Sequence, residues 1–216
     1  MTQASRPKIV LASGSPRRLA LASAEGWNVQ VVPPPETAEA TAAPRGAEES
    51  LEAYVLRLAR TKGQAVAGMG IEGTILACDT LSEVDGIALG KPLDRDDARR
   101  MLLRLSGRTH RVLTGVWLCR RAAAPPGKLP GESPGNGPAE GLLEAVEESL
   151  LEMGPLSDEL LAWYLESGMW RGKAGACGFQ DERLPLRLVR GSGSNVVGLP
   201  LERVREMLAE LDARRP

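Results

Sequence analysis

Cysteine is scarce in this chain, and the three that occur, Cys78, Cys119 and Cys177, are odd in number, far apart and never in a CxxC pair. That spacing suggests neither a disulfide framework nor a zinc site, and it fits a reducing compartment. Aromatic residues make up only 3% of the chain, too few for a platform that stacks single-stranded nucleic acid. Charge of one sign is also missing: 27 Lys and Arg face 28 Asp and Glu, so no nucleic-acid partner is expected and any phosphate binding must be local. No apolar run approaches the roughly 18 residues of a membrane span, and the opening MTQASRPK has no apolar stretch long enough for a signal peptide. No membrane partner is expected, and the expected location is cytoplasmic. The sole histidine, His110, has no second His or paired Cys near it, so it reads as a structural or hydrogen-bonding residue and not as a metal ligand.

What remains is an ordinary globular composition. With 216 residues and 43% hydrophobic content, the chain can bury a substantial core, and it reads as a single domain over 1–216. The stretch that organises it is 74–92, TILACDTLSEVDGIALGKP. Residues 74–78 are apolar or β-prone and read as a buried strand that delivers Asp79 at its end, where α/β sheets gather their ligands. Asp85-Gly86 then predicts a two-residue hairpin turn, whose returning arm carries Lys91 back toward that carboxylate. Asp79 and Lys91 read as an acid and a cation of one pocket, or equally as a surface ion pair at the foot of a hairpin.

Upstream, 8–12 predicts a strand, and Ser13-Gly14-Ser15 a tight loop. Ser15 suits a helix N-cap, Pro16 the first helical position, and Gly26 the stop. Arg17 and Arg18 then occupy a first turn, where the helix dipole disfavours cations, so an anion is expected to compensate. Free amides flanked by two guanidiniums make a phosphate site there, without the spacing of a P-loop. A second strand is predicted at 29–32, followed by a loose segment through Glu49 in which Glu36 is a candidate metal carboxylate or one solvated acid among several. From Ser50 the spacing of Leu51, Val55, Leu58, Ala59 and Ala65 predicts a helix that places Lys62 off its apolar stripe. Asp94 caps a further helix with Ala98, Met101, Leu102 and Leu105 inward, ending at Ser106-Gly107. Strands are predicted at 111–119, 142–151 and 184–189, the first two joined by a Pro/Gly-rich flexible loop over 122–141. Ser157 caps a helix to about Glu166, the small-residue stretch 173–180 offers polar contacts from Lys173 and Gln180, and a last helix carries Leu201, Val204, Leu208 and Leu211.

Seven ordered blocks carry a resemblance over nearly the whole chain: LASGSPRR at 11–18, RLARTK at 57–62, ACDT at 77–80, LGKP at 89–92, LSGRTHRVLTGV at 105–116, KAGACGFQ at 173–180 and NVVGLP at 195–200. They resemble the Maf family, the septum-formation-linked nucleotide pyrophosphatases. The resemblance implies an α/β fold, an elongated mixed sheet flanked by helices with a central cleft, shared with the inosine-triphosphate pyrophosphatases. It implies hydrolysis of a nucleoside triphosphate to monophosphate and pyrophosphate, a divalent cation (Mg²⁺ or Mn²⁺), and a homodimer. Asp79 matches the family's general base, and Arg17, Thr80 and Gln180 match residues that mark the branch acting on dTTP and UTP. Substrate contacts carry over to Ser13, Arg18, Lys62 and Lys91, and metal ligation to Glu36 and Asp79. Three departures stand out: Cys177 where Tyr is usual, Asp181 where Gly commonly follows the glutamine, and proline in place of the Asp that usually precedes Glu36. Because a shared fold does not fix the base, a house-cleaning enzyme for modified nucleotides such as 7-methyl-GTP, or a nucleotide-binding regulator of cell division, are the alternatives.

Overall fold

The computed structural model describes residues 8–40, 43–121 and 139–214. The strand order of its seven-stranded sheet is β2-β1-β3-β5-β6-β7, with β4 pairing β3 to one side. The strands are β1 (Lys8–Leu11), β2 (Asn28–Val31), β3 (Gly73–Val84), β4 (Ile87–Leu89), β5 (Arg108–Arg121), β6 (Ala139–Met153) and β7 (Leu186–Arg190). The helices are α1 (Pro16–Ala24), α2 (Glu36–Ala40), α3 (Leu51–Ala67), α4 (Arg95–Leu105), α5 (Asp158–Ser167), α6 (Gly193–Val197) and α7 (Leu201–Ala213). The sheet is mixed: β1 pairs in parallel with β2 and β3, whereas β4 is antiparallel to β3 and β7 to β6. The expected class, a mixed α/β sheet flanked by helices, is what the chain forms.

Packing divides the described chain into two compact units. The first comes from Met1–Asp79, Gly115–Ala145 and Leu201–Pro216, the second from Thr80–Thr114 and Val146–Pro200. Each has its own core. In the first, Val10, Ile75 and Ala77 of the sheet meet Ala59 and Val66 of α3 and Trp117 of β5. In the second, Val84, Leu89, Leu102, Leu105, Met153, Leu161 and Tyr164 close together. Each fully buried side chain of this size contributes about 1.5–3 kcal/mol relative to exposure.

Local chemistry explains most of the boundaries. Ser15, Ser50, Asp94 and Ser157 each cap a helix by accepting the N–H three residues on. Asp85 and Gly86 both take positive φ, 53° and 77°, as a tight hairpin requires, and Val84↔Ile87 closes the ladder. Several expectations shift. β3 does not stop at Cys78 but runs to Val84, so Asp79 lies inside a strand and not at its end. The polar residues that seemed to end the run are accommodated: Glu83 is buried, yet it receives the Arg111 guanidinium at 2.6 Å. The buried positions of α3 are Leu51, Val55, Ala59, Lys62, Gly63, Val66 and Ala67, so Lys62 belongs to the inward stripe and Ala65 does not. Glu36 opens a short helix, α2, where a loose segment was expected. The NVVGLP block begins inside a short helix, α6, which Ser192 caps by accepting the Asn195 amide. β6 starts at Ala139, ahead of the expected Leu142, and the remainder of the predicted 122–141 loop lies outside the described residues.

Candidate active site

In the first unit, the parallel pairing of β1 with β3 sets Leu11 beside Leu76, and the Ala12 amide donates to the Leu76 carbonyl at 2.8 Å. Two residues further along the chain are Ser13, just past the end of β1, and Cys78, still within β3. Ser13 is buried, and its Oγ accepts both the Ser15 amide at 3.2 Å and the Arg18 Nη1 at 3.2 Å. One hydroxyl thereby fixes the loop and the guanidinium that follows it. Arg17, half-buried, shares this first helical turn.

Lys62 reaches the same strand from α3 and forms an ion pair and hydrogen bond with Asp79 Oδ1. Their side chains retain 9% and 15% exposure, so the pair is largely out of water but still accessible at its edge. Cys78 shows how close the charges are. Burial pushes its thiol up to about 11, the Arg18 charge opposes that shift, Asp79 reinforces it and Lys62 opposes it. One sulfur senses all three charges. The thiol itself, fully buried, is no nucleophile at neutral pH. Glu36 stands exposed at the first residue of α2, beyond the carboxyl end of β2. Gly14, in the Ser13 loop, faces Pro33 of that same β2–α2 connection.

The second unit holds the other predicted residues. Thr80 Oγ1 lies 3.0 Å from Thr114 Oγ1, and Thr114 donates to the Asn195 carbonyl at 3.1 Å. Lys91, exposed, follows Gly90, whose carbonyl accepts the Gly175 amide at 3.0 Å. That bond ties the LGKP stretch to the loop of 173–180. Gly175 (φ 67°) packs so tightly on β3 that a Cβ there would come 2.9 Å from Ser82 Oγ, and Ala176 also takes a positive φ of 61°. Gln180, at the end of this loop, is exposed.

Asp181 holds the loop in that shape. Its carboxylate accepts two bonds from Lys173 Nζ, each 2.5 Å, one from the Tyr164 hydroxyl at 2.5 Å and one from the Gly178 amide at 2.9 Å. Burial first and this carboxylate second drive the Tyr164 hydroxyl far above its ordinary pKa, so it remains a proton donor. Lys173, read from sequence as a source of ligand contacts, is committed to Asp181. The sequence signal for Asp181 was its departure from the glycine usual there. Thr114 and Asn195 lie in the 105–116 and 195–200 blocks, but the sequence assigned neither a role.

His110 is buried and no described residue hydrogen-bonds either ring nitrogen, so of the two roles expected for it the hydrogen-bonding one is not observed. Among the described residues no group of three or more His, Cys, Asp and Glu side chains could hold a metal ion. No described helix is long and apolar enough to cross a membrane.

The profile of a family described as Maf-like protein matches residues 8–211. The chain is 40% identical over 205 residues to a dTTP/UTP pyrophosphatase of Rhodopirellula baltica, covering 94% of this chain and 82% of that one. It is 40% identical over 204 residues to a dTTP/UTP pyrophosphatase of Symbiobacterium thermophilum (94% and 93% covered). A third relative of that name, from Thermus thermophilus, is 37% identical over 204 residues, with 94% of each chain covered. Among solved structures, a HAM1 protein from Coxiella burnetii matches with a TM-score of 0.44 and 15% identity, covering 94% of this chain and 99% of that one.

Proposed function

The chain belongs to the Maf-like protein family, and on that premise we propose that it hydrolyses dTTP and UTP to the monophosphate and pyrophosphate. The observation that carries this reading is the Asp79–Lys62 pair beside the Ser13–Arg18 contact at the start of α1. A carboxylate paired with an ammonium, and a guanidinium held at helix amides suited to phosphate, are the groups such a substrate calls for. The names borne by the relatives support the base preference.

Hydrolysis at the α-phosphorus forms a bond from water oxygen to phosphorus and breaks the bridge to the β-phosphate. Asp79 takes the water's proton as general base, which later passes to solvent. Arg17, Arg18 and Lys62, with Lys91, offset the negative charge on the phosphates and on the leaving pyrophosphate, the largest electrostatic demand of such reactions. Ser13 orients Arg18 and its own loop. Thr80 and Gln180 contact the base.

Carboxylate oxygens are the ligands a hard divalent cation takes. Asp79, with Glu36 as a second carboxylate, offers oxygen ligands but no complete cage, as Mg²⁺ accepts when substrate phosphates and waters fill its remaining positions. Bound there, the ion would polarise the phosphoryl group and acidify water. The family resemblance also supports a homodimer, which light scattering tests.

The deciding experiment measures pyrophosphate release from dTTP, UTP, CTP, 7-methyl-GTP and ITP, with divalent metal and with metal chelated. Preference for dTTP and UTP with metal is the expected outcome. Preference for 7-methyl-GTP would assign the chain to modified nucleotides, and binding without hydrolysis would favour a regulator.

A further inference from the structure

Thr80 is joined through Thr114 to Asn195, two residues of the 105–116 and 195–200 blocks to which the sequence assigned no role. Thr114 is fully buried on β5, with its Oγ1 3.0 Å from Thr80 Oγ1 and 3.1 Å from the Asn195 carbonyl oxygen. A hydroxyl has one proton to give. The Asn195 carbonyl can only accept; it takes the Gly198 amide at 2.9 Å on one lone pair and has a second for Thr114. Thr114 therefore spends its proton on Asn195, and the proton between the two threonines must come from Thr80. The reverse assignment would set oxygen lone pairs against each other in a buried site, where an unmade hydrogen bond is most costly. Asn195 cannot swing to relieve this. Its amide donates to Ser192 Oγ at 3.1 Å, and its side-chain Nδ2 donates to Ser149 Oγ at 2.8 Å and the Val112 carbonyl at 3.3 Å.

We infer that the Asn195–Thr114 relay makes Thr80 an obligate hydrogen-bond acceptor toward the nucleotide base, so that Thr114 is a positioning residue for base selection. This rests on the reading of Thr80 as a base contact. An acceptor-only oxygen favours the imide N3–H of uracil and thymine. It disfavours cytosine, whose N3 presents a lone pair at the same place. Sites built around a hydrogen bond reject the analogue that cannot make it. Without Thr114, the Thr80 hydroxyl could turn and donate to cytosine N3.

The test compares kcat/KM for UTP and CTP in the wild type, Thr114→Val, Thr114→Ser and Thr80→Val, with thermal unfolding as a control. Thr114→Val leaves the Asn195 carbonyl its Gly198 partner, and it should lower the UTP-to-CTP ratio about tenfold, while Thr114→Ser retains the wild-type ratio. A purely structural role would lower both nucleotides together. An unchanged ratio in folded Thr114→Val, beside a collapsed ratio in Thr80→Val, overturns the relay and leaves the base contact standing. An unchanged ratio in Thr80→Val overturns the base contact and the relay with it, whereas loss of all pyrimidine turnover in the wild type would count against the proposed function. If Thr114→Val does not fold, Thr114→Ala is read by the same UTP-to-CTP ratio: a fall of about tenfold supports the relay, and an unchanged ratio overturns it.

Discussion

Asp79 and Lys62 neutralise one another in a setting where neither is fully hydrated. Replacing Asp79 with Asn keeps the shape and removes the base, so turnover should fall about 10²–10⁴-fold, the usual contribution of a positioned acid or base. Nucleotide affinity measured by titration calorimetry should change only a few fold; full retained activity would remove Asp79 from that role. His110 offers a second test at this scale. Burial lowers its pKa from 6.5 to about 4, and the Arg108 main chain and Glu83 carboxylate, which pull the other way, do not offset it. The folded state therefore holds a neutral imidazole. Above pH 6.5 its ionisation has no effect on stability. As the pH falls from 6.5 toward 4, the unfolded chain gains the proton first, and the fold loses about 1.4 kcal/mol per pH unit, of the order of 3 kcal/mol in all. Urea unfolding of the wild type against His110→Phe should show this difference open across that window and stay constant above it.

The elements meet through close approaches that fix where the site residues stand. α3 lies so near β5 that a Cβ on Gly63 would come 2.1 Å from the Trp117 ring, and one on Gly115 would come 2.6 Å from the Val55 carbonyl. Gly63 is adjacent to Lys62, so this contact sets the depth from which the ammonium reaches Asp79. Gly63→Ala should destabilise by about 3 kcal/mol or more, lowering the melting temperature by roughly 6–12 °C in a chain of this size. Activity should fall with it as Lys62 is displaced. A variant that melts like the wild type would show that the helix can shift freely. The 173–181 loop has a different support, four hydrogen bonds onto one carboxylate. Asp181→Asn removes the charge that Lys173 faces and should destabilise by about 3 kcal/mol, because a buried cation is left without its counter-charge. Protease cleavage within the loop should accelerate; an unaltered cleavage rate would mean that the backbone shape holds without Asp181.

At the scale of the whole molecule, the described residues of each unit close around an apolar core of their own. The described residues of both units bury their own aliphatic side chains, and none of their acidic, His or Cys groups forms a three-ligand cluster. Chelation should therefore abolish pyrophosphate release while leaving the thermal unfolding midpoint unchanged in the absence of nucleotide. A fall of several degrees on chelation alone would reveal a structural metal.

The sequence by itself determined the caps, the Asp85-Gly86 hairpin, the order of the strands and of the longer helices, and the family. Each of these depends on near neighbours: a serine three residues before the amide it binds, a glycine where φ must be positive, a period of apolar residues. Only the tertiary structure decided that β3 continues past Asp79, that Lys62 is buried, that Thr114 meets Thr80 and that Asp181 holds Lys173. Those outcomes depend on partners far along the chain. A polar residue looks like the end of a strand or the outside of a helix until Arg111 meets Glu83 and Asp79 meets Lys62 across the fold. Composition and periodicity carry the cost of burying a charge, but the compensating charge appears only when distant segments come together.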